Sequence, residues 1–121
     1  GFTQSHQAVV NVLDYGDGGK IESDLEKANI IVNRQLIPGD IKAKRHYMHP
    51  GGIRFGSSEV TRLGMKESEM QQIASFIKQI VIDKKDTKEV TNQVIEFRKS
   101  YQKTEYCFDN KLGAYEYVKL R

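Results

Sequence analysis

The chain has 121 residues, 38% of them hydrophobic and 29% charged, with a formal net charge of +3. That balance fits one globular domain large enough for a real core and excludes a disordered chain. No apolar run approaches the roughly 20 residues of a membrane-spanning helix, and no secretory signal is visible. The single cysteine, Cys107, excludes an internal disulfide and suits a reducing, cytoplasmic setting.

The chain opens on Gly1 and a strand-like pattern starts within a few residues, which reads as a domain boundary. Residues 7–13, QAVVNVL, are short and valine-rich and run into the cluster DYGDGG, so a strand and a glycine turn are expected. In KIESDLEKAN, residues 20–29, Ile21, Leu25 and Ala28 share one helical face, with acidic residues near its start and Asn29 near its end. Ile30, Ile31 and Val32 follow as a brief β-branched run, giving the order strand, helix, strand. Residues 33–51 show neither period and hold both prolines, Pro38 and Pro50. A loop of that length inside a compact domain is usually functional or mobile. Gly52 to Gly56 then reads as a short extended segment carrying Arg54, followed by a helical stub in SSEVTRLG.

Two amphipathic helices come next. From Glu67 to about Asp83, the residues Met70, Ile73, Ala74, Ile77 and Ile80 form one apolar stripe. From Thr87 to about Tyr101, the residues Val90, Val94, Phe97 and Tyr101 form another, with Asp86 as N-cap and Glu89 as its capping-box partner. Both stripes are expected in the core, with the helices packed on a common sheet. The tail YCFDNKLGAYEYVKL, residues 106–120, is expected to return as extended chain. The architecture that results is α/β (α+β): a small sheet with helices on one face, and the loop and Arg54 segment toward one end of it.

Few chemical motifs are present. His46 and His49 stand three apart, but nothing completes a ligand set, so no metal is expected. Residues 34–46 hold Arg34, Lys42, Lys44 and Arg45 against only Asp40. This reads as a solvated basic loop in preference to a nucleic-acid stripe. GDGG at 16–19 lacks the spacing of a phosphate loop and reads as a plain connection. Ser57 and Ser58 have no base and orienter to make a nucleophile and suit capping of the stub. The lysines all sit in charged company, so none reads as a buried Schiff-base lysine, and the chain alone does not read as a complete enzyme.

Arg54 is the best functional candidate. Glycines on both sides remove bulk, so a ligand can come close to a guanidinium suited to bidentate pairing with a carboxylate. On spacing alone two roles stand open: an anion clamp, or a structural ion pair with a neighbouring Asp or Glu.

Several segments together resemble the C-terminal small domain of the serine hydroxymethyltransferases. They are TQSHQAVVNVLD, LEKANIIVNRQLIPGD, GGIRFGSSEVTRLGMKESEM and a helix starting QQIASFI, in the family's order over residues 3–77. EVTRLGMKESEM and CFDNKLGAYEYVKL look like the archaeal branch.

The resemblance implies the small domain of a fold-type-I pyridoxal-phosphate transferase, spanning residues 1–121 as one domain. The full-length enzyme interconverts serine and glycine and passes the one-carbon unit to a reduced pterin, either tetrahydrofolate or a modified archaeal pterin. The large domain, absent here, carries the cofactor lysine, the phosphate site and the acid–base groups. No catalytic residue and no bound cofactor is therefore expected in this segment, which is expected to be inactive alone.

Arg54 matches the family arginine that clamps the amino-acid carboxylate. Gln35 stands where the family usually has a pterin-binding asparagine, and His46, Tyr47 and Met48 replace the family's serine–proline–phenylalanine, which makes Gln35, Tyr47 and Met48 pterin-binding candidates. Thr61 and Gly64 match family residues kept for backbone reasons, and His6 matches a family histidine read as structural. The implied partners are the large domain of the same chain, a second subunit in a homodimer, and serine or glycine, with no nucleic acid and no membrane. The alternatives are the small domain of a β-hydroxy amino acid aldolase and a free-standing basic nucleic-acid-binding module.

Overall fold

The computed structural model describes residues 3–105. Its elements are β1 (Gln7–Asn11), α1 (Gly18–Lys27), β2 (Asn33–Gln35), α2 (Pro38–Lys42), β3 (Gly52–Gly56), α3 (Ser58–Arg62), α4 (Glu67–Val81) and α5 (Thr87–Arg98). The strands form one antiparallel sheet in the order β1-β3-β2. Ile53 of β3 joins Ile21 and Leu25 of α1, Ala28 at the C-cap of that helix, Phe76 and Ile80 of α4, and Val90 and Val94 of α5 in one buried cluster. This is the small α/β domain expected, a sheet with its helices on one face.

Helix α1 shows how the local code works. Asp17 caps it by accepting from the Lys20 backbone N–H at 3.0 Å. The predicted face of Ile21, Leu25 and Ala28 is fully buried. Asn29 ends the helix in the left-handed conformation at φ 61°, and Ile30 N–H closes back on Leu25 O at 3.0 Å. The GDGG connection also has a packing reason. A Cβ on Gly18 would lie 2.2 Å from Gly52 O, so only glycine lets the start of α1 touch the start of β3.

Three expectations need correction. The strand expected over Ile30–Val32 falls instead on Asn33–Gln35. Val32 is drawn into the core, and the ladder to β3 begins only at Asn33, opposite Arg54. Pairing partners overrode β-propensity here. Residues 33–51 are also not one loop, because they hold β2 and the five-residue helix α2. Arg54 does not lie toward one end of the sheet, since β3 pairs on both sides and Arg54 is its middle residue.

The helical stripes differ in outcome. In α5, Val90 and Val94 are buried, and Phe97 meets Phe76 edge-on with ring centroids 5.6 Å apart. In α4 the buried residues are Phe76, Ile80 and Val81, while Met70 and Ile73 are half-buried and Ala74 is exposed. The first half of α4 borders an open apolar cleft of about 880 Å3 with Ala8, Val10 and Phe55, so its stripe is only partly core.

The expected capping at α5 and α3 also fails in detail. Asp86 and Ser57 occupy the N-cap positions without accepting a capping hydrogen bond. Glu89 faces Lys85 at 3.8 Å and Gln93 at 3.3 Å instead. The Ser57 hydroxyl donates to His6 O at 3.2 Å, tying α3 to the chain before β1. The extended return expected for residues 106–120, and Cys107 within it, lie outside the described residues.

Candidate functional site

Alternation along a strand sends every second side chain to the same face, and residues paired across strands share a face. Ile53 points into the core, so its neighbour Arg54 points away from the helices. The register places Val9 and Asn33 beside Arg54, and Asn11 and Gln35 beside Gly52. Among the strand residues of this face, Gln7, Val9, Asn11, Asn33, Gln35, Gly52, Arg54 and Gly56, the arginine is the single charge.

The Arg54 guanidinium donates from Nη2 to Asn33 Oδ1 at 3.2 Å. Among the described residues no carboxylate pairs with it, whereas Arg34, Arg45 and Arg62 each have one. The residue is half-buried, its hydrogen bond to Asn33 lies exposed, and its remaining guanidinium donors carry no partner among the described residues. Such a group suits an anionic ligand that presents two oxygens in a plane.

The flanking glycines divide the work. A Cβ at Gly56 would meet nothing within 4 Å, so this side of Arg54 is open. At Gly52 a Cβ would come within 2.6 Å of Ile37 Cγ2, and at Gly51 within 2.7 Å of Asp40 Oδ1. Glycine at 51 and 52 therefore admits the protein's own side chains. The expectation of ligand access on both sides holds only toward Gly56.

The excursion from Leu36 to Pro50 is fastened at several points. Asp40, 1% exposed, accepts at Oδ2 from Gly51 N–H at 2.7 Å and from Ile37 N–H at 3.0 Å, and its Oδ1 lies 3.4 Å from Arg45 Nε. Burial works against its charge, but those two N–H groups and Arg45 outweigh it and hold the carboxyl below its ordinary range. Arg34 pairs with Glu22 of α1 and reaches Met48 O at 3.5 Å and Met48 Sδ at 3.4 Å. Gly18 N–H donates to Pro50 O at 2.7 Å, and His49 Nδ1 stands 3.4 Å from Asp17 Oδ1.

The candidate residues thus fall in two groups. Arg54 and Gln35 share the open sheet face, diagonal across β2 and β3, a spacing of roughly 7–8 Å. The Gln35 amide donates to Leu36 O at 3.1 Å. Tyr47 and Met48 sit on the loop outside edge strand β2. Tyr47 is 61% exposed with its ring 4.7 Å from that of His46, and Met48 is held by Arg34. No hydrogen bond, ion pair or ring contact among the described residues joins them to Arg54.

Of the basic run, Arg34 and Arg45 are neutralised by Glu22 and Asp40. Every described lysine is exposed, and no cluster of His, Cys, Asp or Glu able to hold a metal occurs among the described residues. No helix among them is long and apolar enough to cross a membrane.

Sequence reasoning missed Asn33 and Asp40. Asn33 had no signal beyond lying two residues before Gln35, which puts the two on one strand face only once β2 is placed correctly. Asp40 had one: an acid at the third position of a helix opened by Pro38 is a capping pattern.

The family model described as serine hydroxymethyltransferase matches residues 1–77. The chain is 77% identical over 121 residues to the serine hydroxymethyltransferase of Nitrosopumilus maritimus, covering 100% of this chain and 28% of that protein. It is 69% identical over 121 residues to that of Cenarchaeum symbiosum, covering 27% of that protein. It is 51% identical over 111 residues to that of Aeropyrum pernix, covering 92% of this chain and 25% of that protein. These relatives are archaeal, in line with the branch that the sequence resembles. The chain spans little more than a quarter of the length of the curated relatives it matches.

Proposed function

Because the chain belongs to the serine hydroxymethyltransferase family, we propose that it is the C-terminal small domain of a pyridoxal-phosphate enzyme interconverting serine and glycine. In this reading it supplies the substrate-carboxylate clamp and part of a pterin pocket, and is inactive alone. The observation that carries the reading is Arg54: the single charge among the strand residues of its sheet face, braced by Asn33 and open toward Gly56.

Pyridoxal phosphate, when bound, withdraws electrons from the substrate Cα. The residues here do not fit it by themselves, since every described lysine is exposed. In this reading the cofactor site belongs to the large domain of the full-length enzyme, a cytoplasmic homodimer. The part left to Arg54 is orientation. Holding the carboxylate in a fixed plane would fix the orientation of the substrate about Cα, and misplacement is costly. Lysine, a point charge without the fork, cannot reproduce that hold. Gln35, on the same face, offers an amide to the pterin ring, and Tyr47 and Met48 offer an aromatic face and a soft apolar contact from the loop.

The test is Arg54→Ala and Arg54→Lys in the full-length enzyme. Losing a charge-assisted fork of about 1.5–3 kcal/mol raises the serine KM by roughly 10- to 100-fold, with cofactor content and melting temperature unchanged. Unchanged serine kinetics in Arg54→Ala removes Arg54 as the clamp. The isolated domain is expected to take up no stoichiometric pyridoxal phosphate, and such uptake would overturn the proposed division of labour.

A further inference from the structure

Asp40 is the buried charge of the excursion: it is 1% exposed, while residues 41–49 are all exposed. Burying a carboxylate is unfavourable unless its hydrogen-bonding capacity is used. Here one carboxylate meets three separate points of the chain. Its Oδ2 accepts from Ile37 at the entry, its Oδ1 faces Arg45 in the middle, and its Oδ2 accepts from Gly51 at the exit. Capping α2 alone does not explain this, because a five-residue surface helix needs neither the Gly51 bond nor the burial.

The exit point matters most. Gly51 leads directly into β3, three residues before Arg54. The entry bond matters too, since it sets Ile37 onto the backbone of Gly52, opposite Gln35. The same carboxylate thus aligns the end of β2, the start of β3 and the loop bearing Tyr47 and Met48.

We propose that Asp40 is a positioning residue that sets Arg54 and the Tyr47–Met48 loop in register for the amino-acid substrate. The inference rests on the reading of Arg54 as the carboxylate clamp. Asp40 touches no substrate and acts through Gly51 and Ile37. Asparagine retains one oxygen for both backbone N–H groups but turns an amide toward Arg45. Alanine removes all three connections.

The test compares Asp40→Asn, Asp40→Ala and Arg54→Ala in the full-length enzyme. The measurements are serine KM, kcat, cofactor content and hydrogen exchange of the peptide over 50–56. Asp40→Ala is expected to raise the serine KM about tenfold or more, since small misplacements of a binding group are costly. Exchange over 50–56 rises with it, while cofactor content stays at the wild-type level. Asp40→Asn, keeping the backbone bonds, is expected to raise KM only about threefold; a raised KM is what a mere loss of folded enzyme, which lowers kcat alone, does not produce.

An unchanged serine KM in both Asp40 variants, or in Asp40→Asn alone if the alanine variant does not fold, overturns the assignment. A raised KM in Arg54→Ala beside unchanged Asp40 variants rejects Asp40 and spares the clamp. Unchanged serine kinetics in Arg54→Ala rejects the clamp and, with it, the substrate role given to Asp40.

Discussion

Arg54 and Asn33 face each other across the β2–β3 pair, and the Nη2 group of the arginine donates to the asparagine Oδ1 at 3.2 Å. A neutral acceptor in that place steers the guanidinium without cancelling its charge. An acidic residue there would do both.

That difference is testable at one position. Asn33→Ala frees the guanidinium and is expected to raise the serine KM of the full-length enzyme by roughly 3- to 10-fold, less than loss of the arginine itself because Asn33 steers the guanidinium without touching the substrate. Asn33→Asp puts a carboxylate against Arg54 and competes with the substrate for it. Its KM is expected to exceed that of Asn33→Ala. Equal values for the two would show that Asn33 does not act through the arginine.

Glycines 18 and 56 make a second contrast. A methyl at Gly18 would lie 2.2 Å from Gly52 O, so Gly18→Ala forces α1 away from β3 and is expected to cost about 1–3 kcal/mol in urea unfolding. Gly56 has open space where its Cβ would be, and Gly56→Ala is expected to be neutral or to stabilise by about 0.4–1 kcal/mol through the unfolded chain. The same methyl stands beside Arg54, so the Gly56 variant should fold well and bind serine poorly. A wild-type serine KM in Gly56→Ala would place the ligand elsewhere.

The acid limb of stability offers a third. Asp40 titrates below its ordinary range in the folded state, the penalty of burial being outweighed by the N–H groups of Gly51 and Ile37 and by Arg45. A depressed carboxylate contributes stability that is present above its unfolded value, about 3.9, and is lost as pH falls through its lower folded value. The melting temperature of the wild type is therefore expected to fall more steeply below about pH 4 than that of Asp40→Asn, which has no proton to gain there. Asp17, Asp24, Glu59 and Glu69 are shifted the same way and persist in both proteins. The difference between the two curves isolates Asp40, and parallel curves would show that it does not titrate abnormally.

Much of the fold was legible because it rests on local rules. The α1 face of Ile21, Leu25 and Ala28, the β3 span Gly52–Gly56 and the α5 pair Val90 and Val94 all follow from periodicity and end signals that need no partner. The family was legible too, in segments whose order and spacing a matching family model covers over residues 1–77.

The sequence by itself therefore determined most of the elements, the domain's class and the arginine worth asking about. Only the tertiary structure decided how they are used. It moved β2 onto Asn33–Gln35 because β3 supplied the pairing partner, and it exposed part of the α4 stripe because an open cleft borders its first half. It turned Gly51 and Gly52 from space for a ligand into seats for Asp40 and Ile37. Above all it placed Arg54 beside Asn33 and Asp40 beneath Gly51, contacts between residues 21 and 11 positions apart. Neighbours that distant leave no periodic trace in the chain, because they meet only after the sheet has set its register.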